Sequence, residues 1–198
     1  MQKSAALYSR EKELIVNKSV IRAVGVIFFF ILTAAGAFVY IPLPFTPVPV
    51  TLQTFFVLLC AASLKKQDGV LSQAAYLGFG AAGIPIFSGA QGGLLKLFGP
   101  TGGYLIGFVF CIGIVSGMLE FYRSRRKLTL AATAVSMGCG LCAIYLCGGL
   151  WLAISLRYSF AQVMMLGVLP FMPGELLKLT AAVLIYHNLK KRTQTLFQ

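Results

Sequence analysis

LGVLPFMPGELLKLTAAVLIYHNLKKR, residues 166–192, is a long apolar run that closes on three basic residues. Its length matches the roughly 20 residues that cross a bilayer as a helix. A basic end on such a run marks a cytoplasmic boundary. Yet the run carries Glu175 and Lys178, three residues apart. Ionisable groups at membrane depth are costly and face a cavity or a bundle interior. The run therefore reads as one membrane helix with a polar face.

The surroundings agree with a membrane solvent. Of 198 residues, 58% are hydrophobic and 11% are charged. A soluble domain carries about 25% charged residues. The net charge of +12 does not point to nucleic acid, because the basic residues cluster at the ends of apolar runs. Cys60, Cys111, Cys139, Cys142 and Cys147 all lie inside such runs. Cys139 and Cys142 form a CxxC with no second half, so the five read as soft packing residues and no metal site is expected.

The expected fold is an all-α integral membrane protein of six transmembrane helices. The helices are placed at about 20–40, 50–64, 70–87, 104–119, 128–152 and 166–187. Residues 1–19 form a polar arm, 20–189 the membrane domain, and 190–198 a basic tail. The final TLFQ resembles a tag remnant and is set aside. The first run exceeds the roughly 7–15 apolar residues of a secretory signal, so it reads as a retained helix. IPLPFTPVPVT, 41–51, carries Pro42, Pro44, Pro47 and Pro49 and cannot be helical. It is too apolar to float in water, so it is expected to dip into the membrane and line or plug something. KKQDG, 65–69, reads as a tight charged turn. SGAQGGLLKLFGPTGGY, 88–104, reads as a glycine-rich loop.

The 17 Lys and Arg residues sort by side. All but Lys96, Arg157 and Lys178 fall on one side, which places both termini in the cytoplasm. Glu11, Glu13, Asp68 and Glu120 join them there. Glu175 alone sits in the outer half, with Lys178 and Lys96.

Polar groups converge on that outer half. Glu175 follows Pro173 and Gly174 in a first helical turn, where the dipole favours an anion. Lys178 lies one turn on, along the same face. Thr51, Gln53 and Thr54 open the second helix. Gln53 both donates and accepts, which suits an amide-like or urea-like group. Gln91, Tyr76 and Tyr104 are further candidates, and Phe45, Phe87 and Phe98 could supply apolar wall. Gly99, Gly103 and Gly107 recur every four residues, as do Gly113 and Gly117, which suits close helix contact. GPTGG lacks the GK[ST] ending of a nucleotide loop. No nucleophile–base set, HExxH or paired carboxylates appear, so catalysis and a cofactor have no support.

IPLPFTPVPVTLQTFFVLL, YLGFGAAGIPIFSGAQGG, GPTGGYLIGF and LGVLPFMPGELLK, in this order, resemble the BioY family. The likeness covers about residues 22–189. It implies a six-helix substrate-binding subunit of an energy-coupling-factor transporter, set in the bacterial cytoplasmic membrane, that captures biotin near the outer face. It also implies a transmembrane coupling protein with two ATPase subunits as partners. The family pattern usually has aspartate where Glu175 stands. It also usually has an alanine-rich AxxxA face on helix 1, where this chain reads AVGVIFFFILTAAGA, so a solitary transporter is weighed too. Biotin offers a carboxylate, an apolar ring and chain, and a ureido group. Lys178 could hold the carboxylate, or Lys178 and Glu175 together could orient the ureido end. Gln53, Gln91, Tyr104, Thr51, Tyr76 and Phe87 are the supporting candidates. Two other readings stay open on the residues alone: a proton-coupled carrier of a small carboxylate and a ligand-free structural subunit.

Overall fold

A computed structural model describes residues 2–197, with side chains from Lys18 onward except at 191, 192 and 194–196. The order is α1 (Gln2–Phe38), β1 (Tyr40–Ile41), β2 (Val50–Thr51), α2 (Gln53–Ser63), α3 (Lys66–Ala81), α4 (Leu94–Leu97), α5 (Gly102–Ser124), α6 (Leu130–Ser155), α7 (Phe160–Val163) and α8 (Met172–Phe197). Between α7 and α8, Met164–Val168 winds wider than an α-helix and Leu169–Phe171 winds tighter.

Among the described residues, four helical stretches are long and apolar enough to cross a membrane: Lys18–Phe38, Gly102–Ser124, Leu130–Ser155 and Phe160–Lys190. With 11 and 16 residues, α2 and α3 are shorter. At 1.5 Å per residue they reach about 16 and 24 Å, against about 30 Å of hydrocarbon. The chain completes this part of the bundle with a ribbon. Tyr40 pairs with Thr51 and Ile41 with Val50, antiparallel. The prolines between them lack N–H donors and cannot extend the ladder. Leu52 N–H bonds the Gly36 carbonyl at 3.0 Å, fixing the start of α2 against α1.

Several boundaries differ from the sequence reading. The arm expected at 1–19 is helical in its backbone and continuous with α1. Its side chains to residue 17 lie outside the described residues. KKQDG is not a turn: Lys66, Gln67 and Asp68 open α3. Asp68 suits that first turn electrostatically, and Arg22 of α1 clamps it in a fork (Nη2 to Oδ1 at 2.7 Å, Nε to Oδ2 at 2.9 Å). Helix 3 stops at Ala81 rather than near Phe87, because Gly83 takes a φ of +104° that ordinary residues avoid. The 88–103 loop carries the short α4. Phe197, within the supposed tag remnant, packs against Gly25.

Helices α5 and α6 approach closely at two glycines. A Cβ on Gly103 would lie 2.2 Å from Trp151 Cβ, and one on Gly107 would lie 2.8 Å from Ile144 Cα. The glycine repeat is therefore used at these positions. A Cβ on Gly113 would meet little, and one on Gly117 nothing. Cys60 and Cys111 are buried, as packing residues should be, whereas Cys139 and Cys142 lie exposed on α6.

The basic and loop-bearing ends separate. Lys65, Lys66 and Arg123 share one pocket. At the opposite end, Thr46 Oγ1 donates to the Leu166 carbonyl at 2.6 Å and Trp151 Nε1 to the Gly99 carbonyl at 2.9 Å. The ribbon, the glycine loop and the start of α8 thus meet at the second end.

Candidate functional site

The start of α8 turns Glu175 inward, where only 3% of the residue is exposed. Lys178 follows one turn later and bonds the same carboxylate through Oε1. The Lys178 ammonium also donates to Thr54 Oγ1 at 2.8 Å and to the Thr51 carbonyl at 2.9 Å. Thr54 in turn donates to Glu175 Oε1 at 3.1 Å. An ammonium has three N–H groups, so Lys178 is fully committed. Glu175 is not: Oε2 is buried and has no partner among the described residues. Tyr145 of α6 stands beside Glu175, near enough for its hydroxyl to turn to the carboxylate.

Oε2 matters because Glu175 lines a narrow cavity. Its walls come from the end of the proline loop (Val48, Pro49, Val50, Thr51), from α2 (Gln53, Thr54), and from Ser88 and Thr101 of the glycine loop. Tyr104, Leu105 and Phe108 of α5, Ile144 and Tyr145 of α6, and Phe171 complete them. The volume inside is about 50 Å³, well under the roughly 300–1,000 Å³ of open small-molecule sites, though the lining is likewise mostly apolar with a few placed polar groups. Thr101 supplies a second unsatisfied group: it is 7% exposed and its Oγ1 has no partner among the described residues. Buried polar atoms normally find partners, so two orphans on one cavity mark a place for a ligand or water.

Four sequence candidates reach the wall: Thr51, Gln53, Tyr104 and Glu175. Their free hydrogen-bonding capacity differs. Gln53 accepts from Thr51 Oγ1 at 3.3 Å and donates to the Tyr76 hydroxyl at 2.7 Å, and Tyr76 donates to the Ile86 carbonyl at 3.0 Å. Its amide is held in place from behind. Tyr104 donates to the Gly167 carbonyl at 2.7 Å, pinning the wide turn before α8.

Lys178, Tyr76, Phe87 and Gln91 are not on the wall. Lys178 braces Glu175. Phe87 is buried edge-on against Tyr76 and over Gly80. Gln91 is exposed and pairs with Phe87 through its backbone. Phe45 and Phe98 are exposed as well, and the aromatic wall is instead Phe108, Phe171, Tyr104 and Tyr145. Lys96 in the outer loop stays outside the cavity, and partial burial lowers its pKa. Ser88, Thr101, Tyr145 and Phe171 line the cavity without being singled out by the sequence, and Thr54 was read there only as opening the second helix. Thr54 and Thr101 carried a signal, as hydroxyls beside Gln53 and inside GPTGG. Tyr145 carried none, being one aromatic in a uniformly apolar run. Among the described residues, no cluster of His, Cys, Asp and Glu could hold a metal ion.

The BioY family model matches residues 9–195. Among curated proteins, the probable biotin transporter BioY of Pyrococcus horikoshii is 38% identical over 169 residues, 83% of this chain and 93% of that one. The biotin transporter BioY of Thermotoga maritima is 39% identical over 163 residues, 82% and 92% of the two chains. A solved structure described as the S-component for biotin from an ECF-type ABC transporter shares the fold. Its TM-score is 0.84 and its identity 24%, over 92% of this chain and 98% of that one. The chain belongs to the BioY family.

Proposed function

We propose that this chain captures biotin from outside the cell as the S-component of an energy-coupling-factor transporter. Glu175 Oε2, a buried carboxylate oxygen without a partner on the cavity wall, is the observation that carries the reading. The ureido N–H groups of biotin are suitable donors to it. Thr101 Oγ1, a second free group on the same wall, can donate to the ureido carbonyl. Leu105, Phe108, Ile144 and Phe171 suit the apolar ring and chain.

This geometry favours one of the two orientations left open by the sequence. The Lys178 ammonium already satisfies three acceptors, so it is not free to hold the biotin carboxylate. It holds the Glu175 carboxylate in place, and the ureido end lies at Glu175. Gln53 and Tyr104 shape the wall. Tyr76 and Phe87 support it from behind.

The bundle completes six passes, with α2 and α3 helped across by the ribbon and proline loop. The basic end, with both termini, faces the cytoplasm. A coupling protein and two ATPases supply energy, since this chain has no nucleotide loop. Its setting is the cytoplasmic membrane.

Labelled biotin binding to detergent-purified protein tests the reading. Wild type is expected to bind tightly, and Lys178→Ala and Glu175→Ala to lose binding while staying folded. A folded wild type that binds no biotin overturns it.

A further inference from the structure

At the basic end, a second pocket opens where α2 passes into α3 beside the last turns of α5. Its floor is buried and apolar: Ala61, Ala62, Leu64 and Leu119. Ser116 closes one side by donating to the Ala61 carbonyl at 2.7 Å. The rim is polar, with Lys65, Lys66, Gln67 and Glu120 exposed and Arg123 half-buried. The atom-free space, counting the mouth, is about 1,000 Å³. No wall residue is shared with the cavity at Glu175.

Arg123 gives the pocket its chemistry. Nη2 donates to the Tyr186 hydroxyl at 3.4 Å. Nε is buried and has no partner among the described residues. Glu120 lines the same pocket, yet it forms no ion pair with Arg123, Lys65 or Lys66. Three cations against one carboxylate leave the pocket net positive. A buried guanidinium N–H without an acceptor is unfavourable, and a phosphate oxygen meets guanidinium geometry well.

The surroundings say where the phosphate comes from. Phe121, exposed in the last turns of the same helix α5, carries Arg125 over its ring at 4.5 Å to the centroid. An exposed aromatic beneath a guanidinium is the pattern of a hydrocarbon–water boundary. Free phosphate has no use for an apolar floor, whereas a glycerol backbone and chain root do. Basic pockets between membrane helices on the cytoplasmic side are suited to anionic headgroups.

We propose that the pocket formed by Lys65, Lys66 and Arg123 holds the phosphate of an anionic phospholipid headgroup. The inference rests on the membrane orientation given above and not on the identity of the transported vitamin.

The test is thermal unfolding of delipidated protein in a neutral maltoside detergent. Phosphatidylglycerol, phosphatidylcholine or inorganic phosphate is added to wild type, Arg123→Gln and a Lys65→Gln/Lys66→Gln double variant. Phosphatidylglycerol is expected to raise the wild-type Tm by about 3 °C. Phosphatidylcholine and inorganic phosphate should give no shift, and both variants should lose it while still binding biotin as wild type does. If Arg123→Gln does not fold, the double variant of exposed lysines decides, with native mass spectrometry counting retained phosphatidylglycerol. An equal shift with phosphatidylcholine, an undiminished shift in the variants, or the same shift from inorganic phosphate overturns the proposal.

Discussion

Lys178 and Glu175 form an i,i+3 ion pair in which the lysine is satisfied on every side and the carboxylate keeps one oxygen free. The pair and the cavity thereby meet at one carboxylate. Oε1 belongs to the fold, where it accepts from Lys178 and Thr54. Oε2 belongs to the cavity.

Removing one member of this pair should cost more than removing both. Lys178→Met strands a buried carboxylate, and one-sided breakage of a buried pair costs about 3–5 kcal/mol. Glu175→Gln combined with Lys178→Met removes both charges and should recover most of that loss. Thermal unfolding of the two single variants and the double variant in detergent measures the cycle. Additive losses would show that the residues do not act as a pair.

Thr101→Val should separate stability from binding. The hydroxyl is buried without a partner, so removing it should leave the ligand-free Tm unchanged or raised. Loss of one ligand hydrogen bond, about 1.4 kcal/mol, should weaken biotin binding about tenfold. Titration calorimetry beside a melting curve reads both. Unchanged affinity would remove Thr101 from the site.

Tyr104→Phe keeps the ring on Gly148 and removes the bond to the Gly167 carbonyl. A buried carbonyl is then orphaned, at about 1–3 kcal/mol. The wide turn at Met164–Val168 should loosen, and biotin should dissociate faster. Off-rates by surface plasmon resonance, together with a melt, check this. Faster release without any drop in Tm would mean that the hydroxyl acts on the ligand directly.

Glycines that look alike in sequence should behave oppositely. Gly103→Ala places a Cβ 2.2 Å from Trp151 Cβ and should split α5 from α6, seen as lost expression or aggregation on size exclusion. Gly117→Ala meets nothing and should stabilise α5 by up to about 1 kcal/mol through helix propensity.

Much of this was legible in the sequence because hydrocarbon leaves few options. Apolar length marked the long helices, and Glu175 and Lys178 stood out as charges with no other reason to be there. Position along the chain was less informative. Lys178 looked like a ligand contact because two of its three acceptors come from α2 and the ribbon, about 125 residues away in sequence. KKQDG looked like a turn because the Arg22 fork that holds Asp68 in a helix lies 46 residues earlier. Phe87 and Gln91 sat in a motif that does reach the site, but through Ser88 between them. Tyr145 and Phe171 show the opposite failure, since an aromatic wall residue in an apolar run looks like any other.

The most direct test of the site is to compare wild-type affinity for biotin, for biotin amidated at its carboxylate, and for biotin methylated on a ureido nitrogen. If Glu175 Oε2 accepts from the ureido group, amidation should change the Kd by less than about tenfold. Methylation should then weaken binding by about a hundredfold or more, because it removes a donor to a buried carboxylate and adds bulk to a narrow cavity. The reverse order, with the amide lost and the methylated ligand retained, would place the biotin carboxylate at Lys178 and contradict the orientation proposed here.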